Sequence, residues 1–129
     1  KGDFPSPLLQ LAAGRGKLLE LMADRHAHDP GIADRAFMAG ILSLLDTLLE
    51  MPIEEAIAQM NLPADVTAAL LARTGALGRM LDVAEALEQS DDHRVAELLA
   101  DGTPCSTAEL VQLQIAALSW SNAIGQLHR

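Results

Sequence analysis

Hydrophobic residues recur at intervals of three and four along almost the whole chain, which is the pattern of amphipathic α-helices. The first predicted helix spans residues 7–25 and is followed by a turn at residues 28–31. Its apolar positions are Leu8, Leu11, Ala12, Leu18, Leu19 and Met22. Gly14 and Gly16 weaken the middle of this helix, because each costs about 1 kcal/mol relative to alanine.

A second helix is predicted over residues 33–51, and apolar side chains surround most of its circumference. These are Phe37, Met38, Ile41, Leu42, Leu44, Leu45, Leu48 and Leu49. A narrow polar stripe runs along it, formed by Ser43, Asp46, Thr47 and Glu50. A helix with so little polar surface is expected to lie in the middle of the domain.

Shorter helices follow at residues 52–60 and 63–73, then a helix to about residue 89 and an apolar segment at 95–99. Ser106 and Glu109 form a capping box that begins the final helix. Its apolar stripe is Leu110, Leu113, Ala117, Trp120, Ile124 and Leu127, widened by Val111, Ile115 and Leu118. Such a stripe usually packs on its own domain, and contact of part of it with another chain is the alternative.

These elements predict an all-α protein, a compact bundle of six to seven mostly short helices in one domain over residues 1–129. Length supports one domain, since 129 residues with 50% hydrophobic content suit a single core. Aromatic residues make up only 2% of the chain and tyrosine is absent, which argues against an all-β domain.

The net charge and the cysteine content indicate which partners and which cellular compartment the protein fits. The formal net charge is -9, from 18 acidic and 9 basic residues, and the basic residues are scattered. Nucleic acid and anionic membrane surfaces are therefore poor partners. No apolar run is long enough to span a membrane. Cys105 is the sole cysteine, has no designated base and fits a reducing compartment, so we expect a cytoplasmic protein with an inert thiol.

One cluster has metal-ligand chemistry, formed by His26, His28 and Asp29. The His28–Asp29 pair suggests a metal-dependent phosphohydrolase of the HD type. Pro30 opposes that interpretation because the residue before a proline is disfavoured in a helix, and no histidine precedes His26. The alternative is a solvated helix end, where imidazoles lie close to the last carbonyl groups.

The acidic residues give little further evidence of a functional site. Asp46 is either a functional carboxylate or the ion-pair partner of an arginine on a neighbouring helix, and the pairing is favoured. The adjacent pairs Glu54–Glu55 and Asp91–Asp92 are expected to stabilise helix N-termini. The segment Gly14-Arg15-Gly16 is too short for a phosphate loop. We therefore predict no catalytic, cofactor-binding or metal-binding residue and no cofactor.

Residues 36–49, AFMAGILSLLDTLL, resemble the signature of HDOD (HD-related output) domains in bacterial EAL–HDOD signalling proteins. Similarity continues at residues 51–55, 62–63, 69–71 and 75–78, and at 7–12, 18–23 and 117–122. Gly16 departs from the pattern, since a better helix former is expected there. The resemblance implies a fold related to the HD domain but without its metal ligands, and this chain would be the C-terminal part of the HDOD-like region.

The resemblance also implies a function. It predicts a non-catalytic signalling or output module that makes protein–protein or interdomain contacts in a cyclic di-GMP signalling protein. Any phosphodiesterase activity would belong to an EAL domain upstream of this chain. Its partners would be its own N-terminal domain or another signalling protein, and a homo-oligomer is possible. The stripe over residues 110–127, with Trp120 as anchor, is the first surface to test. The alternatives are an HD-type phosphohydrolase and a purely structural domain.

Overall fold

Eight α-helices and no strand make up the part of the chain that the computed structural model describes, which is residues 7–26, 29–100 and 106–126. The helices are α1 (Pro7–His26), α2 (Ile32–Leu42), α3 (Leu45–Leu49), α4 (Ile53–Ala56), α5 (Ala64–Ala72), α6 (Gly75–Glu88), α7 (Asp92–Ala100) and α8 (Thr107–Gln126). The all-α class and the bundle are thereby confirmed. None of the helices in these ranges is long and apolar enough to cross a lipid bilayer.

The predicted helix over residues 33–51 is two helices, because the chain breaks at Ser43 and Leu44. The Ser43 hydroxyl donates to the carbonyl oxygen of Gly40 at 2.7 Å, a bond that bends helices. Only α2 lies in the interior as expected, with Ala36 and Ala39 fully buried. The five-residue α3 has no buried residue, and Leu49 at its end is half exposed.

Gly16 of α1 and Gly40 of α2 mark the point where these two helices cross. A Cβ atom on Gly40 would lie 2.5 Å from the Gly16 Cα atom and 2.7 Å from its nitrogen. Side chains larger than hydrogen therefore cannot fit between the two backbones. Gly40 thus permits the close approach of α1 and α2, and Gly16 provides the matching space on α1.

The core lies between α1, α2, α5, α6 and α8, and α7 adds Val95 and Leu98 to it. Its largest fully buried side chains are Leu19, Val66, Leu77, Leu81, Val83 and Leu110. Helix α1 packs against both α2 and α8 and therefore forms the centre of the bundle. The predicted capping box is confirmed, since the Ser106 Oγ atom accepts from the Glu109 N–H group at 3.1 Å.

Candidate interaction surface

The candidate metal cluster falls mostly outside the described residues. His28 and the side chain of His26 lie outside them, as does Cys105. The Asp29 carboxylate accepts a hydrogen bond from Arg35 Nη2 at 2.7 Å, and Arg35 Nε donates to Asp65 at 2.9 Å. Asp29 therefore helps to fix the turn before α2 to the start of α5. Within the described ranges, no three His, Cys, Asp or Glu side chains are placed to hold a metal ion.

Asp46 is a half-buried residue in the first turn of α3. Its Oδ1 atom accepts from the Thr47 N–H group at 2.8 Å, and no described ion pair includes it. The expected pairing with an arginine is therefore wrong within the described structure. Arg15 binds Ser43 instead, three residues earlier.

The adjacent acidic pairs lie at helix starts, as predicted. Glu54 and Glu55 are in the first turn of α4, and Asp92 is in the first turn of α7. The Asp91 Oδ1 atom accepts from the Arg94 N–H group at 3.1 Å. Asp91 thus caps the start of α7, and the other three carboxylates place negative charge at helix N-termini, where it is favourable.

The sequence interpretation missed a buried arginine, Arg15, which is only 6% exposed in the middle of α1. Its guanidinium forms a two-pronged pair with Glu88 of α6, in which Nε donates at 2.9 Å and Nη2 at 2.5 Å. Nη1 donates to the Ser43 hydroxyl at 2.8 Å. Arg15 thus joins α1 to the end of α2 and to α6.

A signal for this role is present in the sequence. Arg15 lies three and four residues before Leu18 and Leu19 and seven before Met22, so it occupies a core position of α1. An arginine at such a position needs a buried partner, because desolvating an unpaired charge is costly.

Glu85 of α6 connects these contacts to Arg73, which lies just before α6, because it pairs with both Arg15 and Arg73. Arg73 donates to both Glu85 carboxylate oxygens at 2.8 Å and to Asp82 at 3.1 Å. Gly78 lets the Arg73 backbone approach α6, because a Cβ atom there would overlap the Arg73 carbonyl group. Hydrogen bonds from Arg73 hold the pKa of Glu85 below its usual value, and the same bonds raise the pKa of Arg73.

This lowered pKa predicts a pH dependence of stability. A carboxyl whose pKa is lower in the folded than in the unfolded protein contributes stability above its unfolded pKa. That contribution is lost as the pH falls through the folded pKa. We therefore expect the free energy of unfolding to fall from about pH 5 downward as Glu85 takes up a proton, and we expect Glu85→Gln to flatten this fall.

Urea denaturation followed by circular dichroism at several pH values would measure this effect. Arg73→Met removes the cation that lowers the pKa, so it should flatten the same part of the profile. An unchanged profile in both variants would contradict the role of the Arg73–Glu85 pair.

A groove opens between α1 and α8, above the Arg15–Glu88 pair. It encloses a cavity of about 70 Å³, with Leu11 of α1 and Leu118 of α8 among its lining residues. Ordinary ligand pockets measure roughly 300–1,000 Å³, so this cavity is too small to enclose a nucleotide. Its apolar rim is better suited to contact with a protein side chain.

The predicted apolar stripe of α8 faces the interior of its own domain. Leu110, Leu113 and Ala117 are buried, whereas Leu127 lies outside the described residues. Trp120 is half buried, and its ring meets Phe37 edge to face at a centroid distance of 5.8 Å. Lys17 Nζ lies 5.1 Å from the Trp120 ring centroid. Trp120 is thus engaged within the domain and is not a free anchor.

The opposite face of α8 is exposed and apolar. Ile115 is 59% and Leu118 is 53% exposed, and Val111 of the same helix and Leu11 of α1 are also exposed. We call these four side chains the α8 face. The only charged residue of α8 is Glu109, which pairs with Arg25 at 3.2 Å. The α8 face therefore carries no charge.

Two curated proteins are similar to most of this chain. It is 34% identical over 123 residues to cyclic di-GMP phosphodiesterase CdgJ of Vibrio cholerae, covering 95% of this chain and 28% of CdgJ. It is 30% identical over 113 residues to protein YuxH of Bacillus subtilis, covering 88% of this chain and 26% of YuxH. The chain spans about a quarter of the length of these relatives. No protein-family model and no solved structure matches it.

The similarity to CdgJ corrects one expectation, that of a protein without enzymatic activity, because this relative is named as a cyclic di-GMP phosphodiesterase. The name phosphodiesterase applies to CdgJ as a whole. The segment of CdgJ that matches this chain is 28% of its length.

Proposed function

We propose that this chain is the HDOD-like interaction module of a longer cytoplasmic protein that hydrolyses cyclic di-GMP, and that it acts by protein–protein contact through the α8 face. Similarity to CdgJ over 95% of the chain is the observation that carries the proposal. The resemblance of residues 36–49 to HDOD domains supports the name of the module. This chain matches only 28% of CdgJ, so most of a protein of that kind would consist of other domains.

The α8 face supports contact with a protein. Four large apolar side chains on two neighbouring helices form its surface, and clustered apolar exposure of this kind is typical of interaction sites. The adjoining groove gives the face a concave part. A partner side chain that enters between Leu11 and Leu118 reaches the region of Arg15 and Glu88.

The Arg15 network gives such contact a physical route into the bundle. Arg15 lines the groove and also binds Ser43 and Glu88. A shift of α1 against α8 therefore changes the position of a guanidinium that holds α2 and α6 together. Coupling between sites needs a contiguous element of this kind whose arrangement both sites can bias.

The protein encoded by the natural reading frame that contains this chain would test the proposal. We expect it to hydrolyse cyclic di-GMP, and we expect Ile115→Glu to lower the rate about fivefold or more by breaking the contact. Hydrolysis would be followed by chromatography of the linear product. Leu71→Glu is the matched control, because Leu71 on α5 is 46% exposed and lies outside the α8 face.

Circular dichroism melting would verify that both variants fold like the wild type. Absence of both hydrolysis and binding of cyclic di-GMP by the natural-length protein would refute the link to this messenger. Equal rates for wild type, Ile115→Glu and Leu71→Glu would refute the role of the α8 face and favour a purely structural domain.

A further inference from the structure

We propose that a cavity between the start of α6 and α7 binds the phosphate group of a small molecule, and that Arg73, Arg79 and Arg94 hold this group. The site goes beyond the proposed function, because none of these arginines belongs to the α8 face. The inference is drawn from the convergence of three arginines on one cavity, from the net charge of its lining and from its size.

The three arginines come from different elements of the fold. Arg73 directly follows α5, Arg79 lies in the second turn of α6, and Arg94 lies in the first turn of α7. All three line the same cavity. They make up a third of the 9 basic residues of a chain whose net charge is -9. A local positive region in an otherwise acidic protein raises the concentration of anions at that place.

The charge of the lining matches a phosphate monoester. Among the described residues around this cavity, Asp82 is the single acidic one, so three arginines and one aspartate give the lining a net charge of +2. A phosphate monoester carries a charge of about -1.5 to -2 near pH 7. It therefore matches the lining more closely than a single carboxylate does.

Arginine donors are available at the cavity. Hydrogen bonds from Arg73 to Asp82 and Glu85 hold its guanidinium in place beside the cavity. Arg94 Nη1 lies 3.7 Å from a carboxylate oxygen of Glu97, which is beyond hydrogen-bond distance, and its side chain is 50% exposed. The Arg94 guanidinium can therefore turn to a ligand without losing a hydrogen bond. Its planar group can donate two parallel bonds to phosphate oxygens.

The start of α6 adds to the attraction for an anion. Thr74 and Gly75 belong to the lining, and the first turn of α6 contains no acidic residue and no side-chain cap. Gly75 has a φ of 76°, and a Cβ atom there would meet nothing within 4 Å, so the backbone is open at this point. The N-terminal end of a helix carries a partial positive charge that favours phosphate. This contribution supports that of the arginines.

The size and exposure of the cavity set the expected ligand and affinity. Its volume is about 340 Å³, at the lower end of the roughly 300–1,000 Å³ of ordinary ligand pockets. A mononucleotide or a sugar phosphate suits it better than a dinucleotide does. Because the Arg94 side chain is half exposed, its contact with phosphate is partly screened by solvent. We therefore expect a dissociation constant of about 0.1–1 mM for a phosphate monoester, weakened by added salt.

Isothermal titration calorimetry of this chain at low ionic strength would test the proposal, with GMP, inorganic phosphate and guanosine as probes. We expect GMP to bind, inorganic phosphate to compete with it and guanosine to give no binding, since guanosine lacks the phosphate group. Arg79→Met and Arg94→Met should each weaken the binding of GMP about tenfold, because each removes charge-assisted hydrogen bonds to the phosphate.

Arg25→Met is the matched control. Its side chain is 49% exposed, close to the 50% of Arg94, and it lies on α1 outside the cavity. This variant removes the same charge and should leave the dissociation constant for GMP within about twofold of the wild type. Circular dichroism melting would verify that the three variants fold like the wild type.

Three results would overturn the proposal. The first is an absence of binding at GMP concentrations up to about 5 mM. The second is binding of guanosine as tight as that of GMP, which would assign recognition to the base. The third is equal weakening by Arg25→Met and Arg94→Met, which would show that only the overall charge of the protein matters.

Discussion

Replacing Gly40 with alanine is expected to destabilise the protein by about 3 kcal/mol, the upper part of the usual range for overpacking. The added Cβ atom would lie 2.5 Å from the Gly16 Cα atom and 3.0 Å from the Arg15 carbonyl carbon. These are backbone atoms of α1, so relief requires the whole helix to move away from α2. Because α1 also packs on α8 and α6, that movement would disturb most of the core. Urea denaturation followed by circular dichroism measures the change.

Gly14→Ala is the matched control for this prediction. Gly14 lies in the same helix as Gly16, but a Cβ atom there would meet the Ser121 Oγ atom at 3.5 Å, an ordinary contact. Alanine favours a helix by about 1 kcal/mol over glycine, so this variant should be as stable as the wild type or more stable. Equal effects of Gly14→Ala and Gly40→Ala would contradict the close crossing of α1 and α2.

Arg15→Met is expected to cost about 2 kcal/mol, since it removes the buried member of a partly buried pair together with its two charge-assisted hydrogen bonds to Glu88. Glu88 would lose a two-pronged charge-assisted pair, and Ser43 would lose its hydrogen-bond donor. Methionine keeps much of the apolar stem of arginine. The loss of stability therefore measures the contribution of the guanidinium group rather than that of side-chain volume. The free energy of unfolding at neutral pH is the quantity to compare.

The control for this prediction is Arg25→Met. Arg25 pairs with Glu109 at 3.2 Å, but its side chain is 49% exposed, and exposed pairs contribute about 1 kcal/mol or less. If Arg15→Met costs no more than Arg25→Met, Arg15 does not hold the helices together.

Periodicity in the sequence was sufficient to predict the helices and much of the core. The spacing of Leu110, Leu113 and Ala117 predicts the buried side of α8, and the structure confirms it. The capping box at Ser106 and the acidic helix starts are equally local, since each depends on residues a few positions apart. Local patterns of this kind can be predicted from the sequence because the backbone geometry of a helix fixes which residues are neighbours.

The break after α2 was not predictable from the same pattern. Residues 33–51 keep a helical period throughout, yet the chain turns at Ser43 and Leu44. The Ser43 hydroxyl binds Gly40 in its own helix and Arg15 of α1. The contact with Arg15 joins residues 28 positions apart and forms only when α1 packs against α2. The hydrophobic periodicity of residues 33–51 therefore cannot predict it.

The candidate surface shows the same division. Sequence alone identified α8 as a helix with excess apolar residues, but it favoured Trp120 as the anchor. Packing decided otherwise, because Phe37 and Lys17 approach the Trp120 ring from other helices and leave Ile115 and Leu118 exposed. Which of two apolar sides becomes buried depends on where neighbouring helices lie.

The sequence by itself thus determined the helical class and the helix ends marked by caps, since these follow from composition and short-range spacing. Only the tertiary structure decided that Gly16 and Gly40 touch, that Arg15 finds Glu88 and that one side of α8 stays uncovered. The physical reason is distance along the chain. Each of these features joins residues from separate helices, and their contact energies appear only when the whole bundle is assembled.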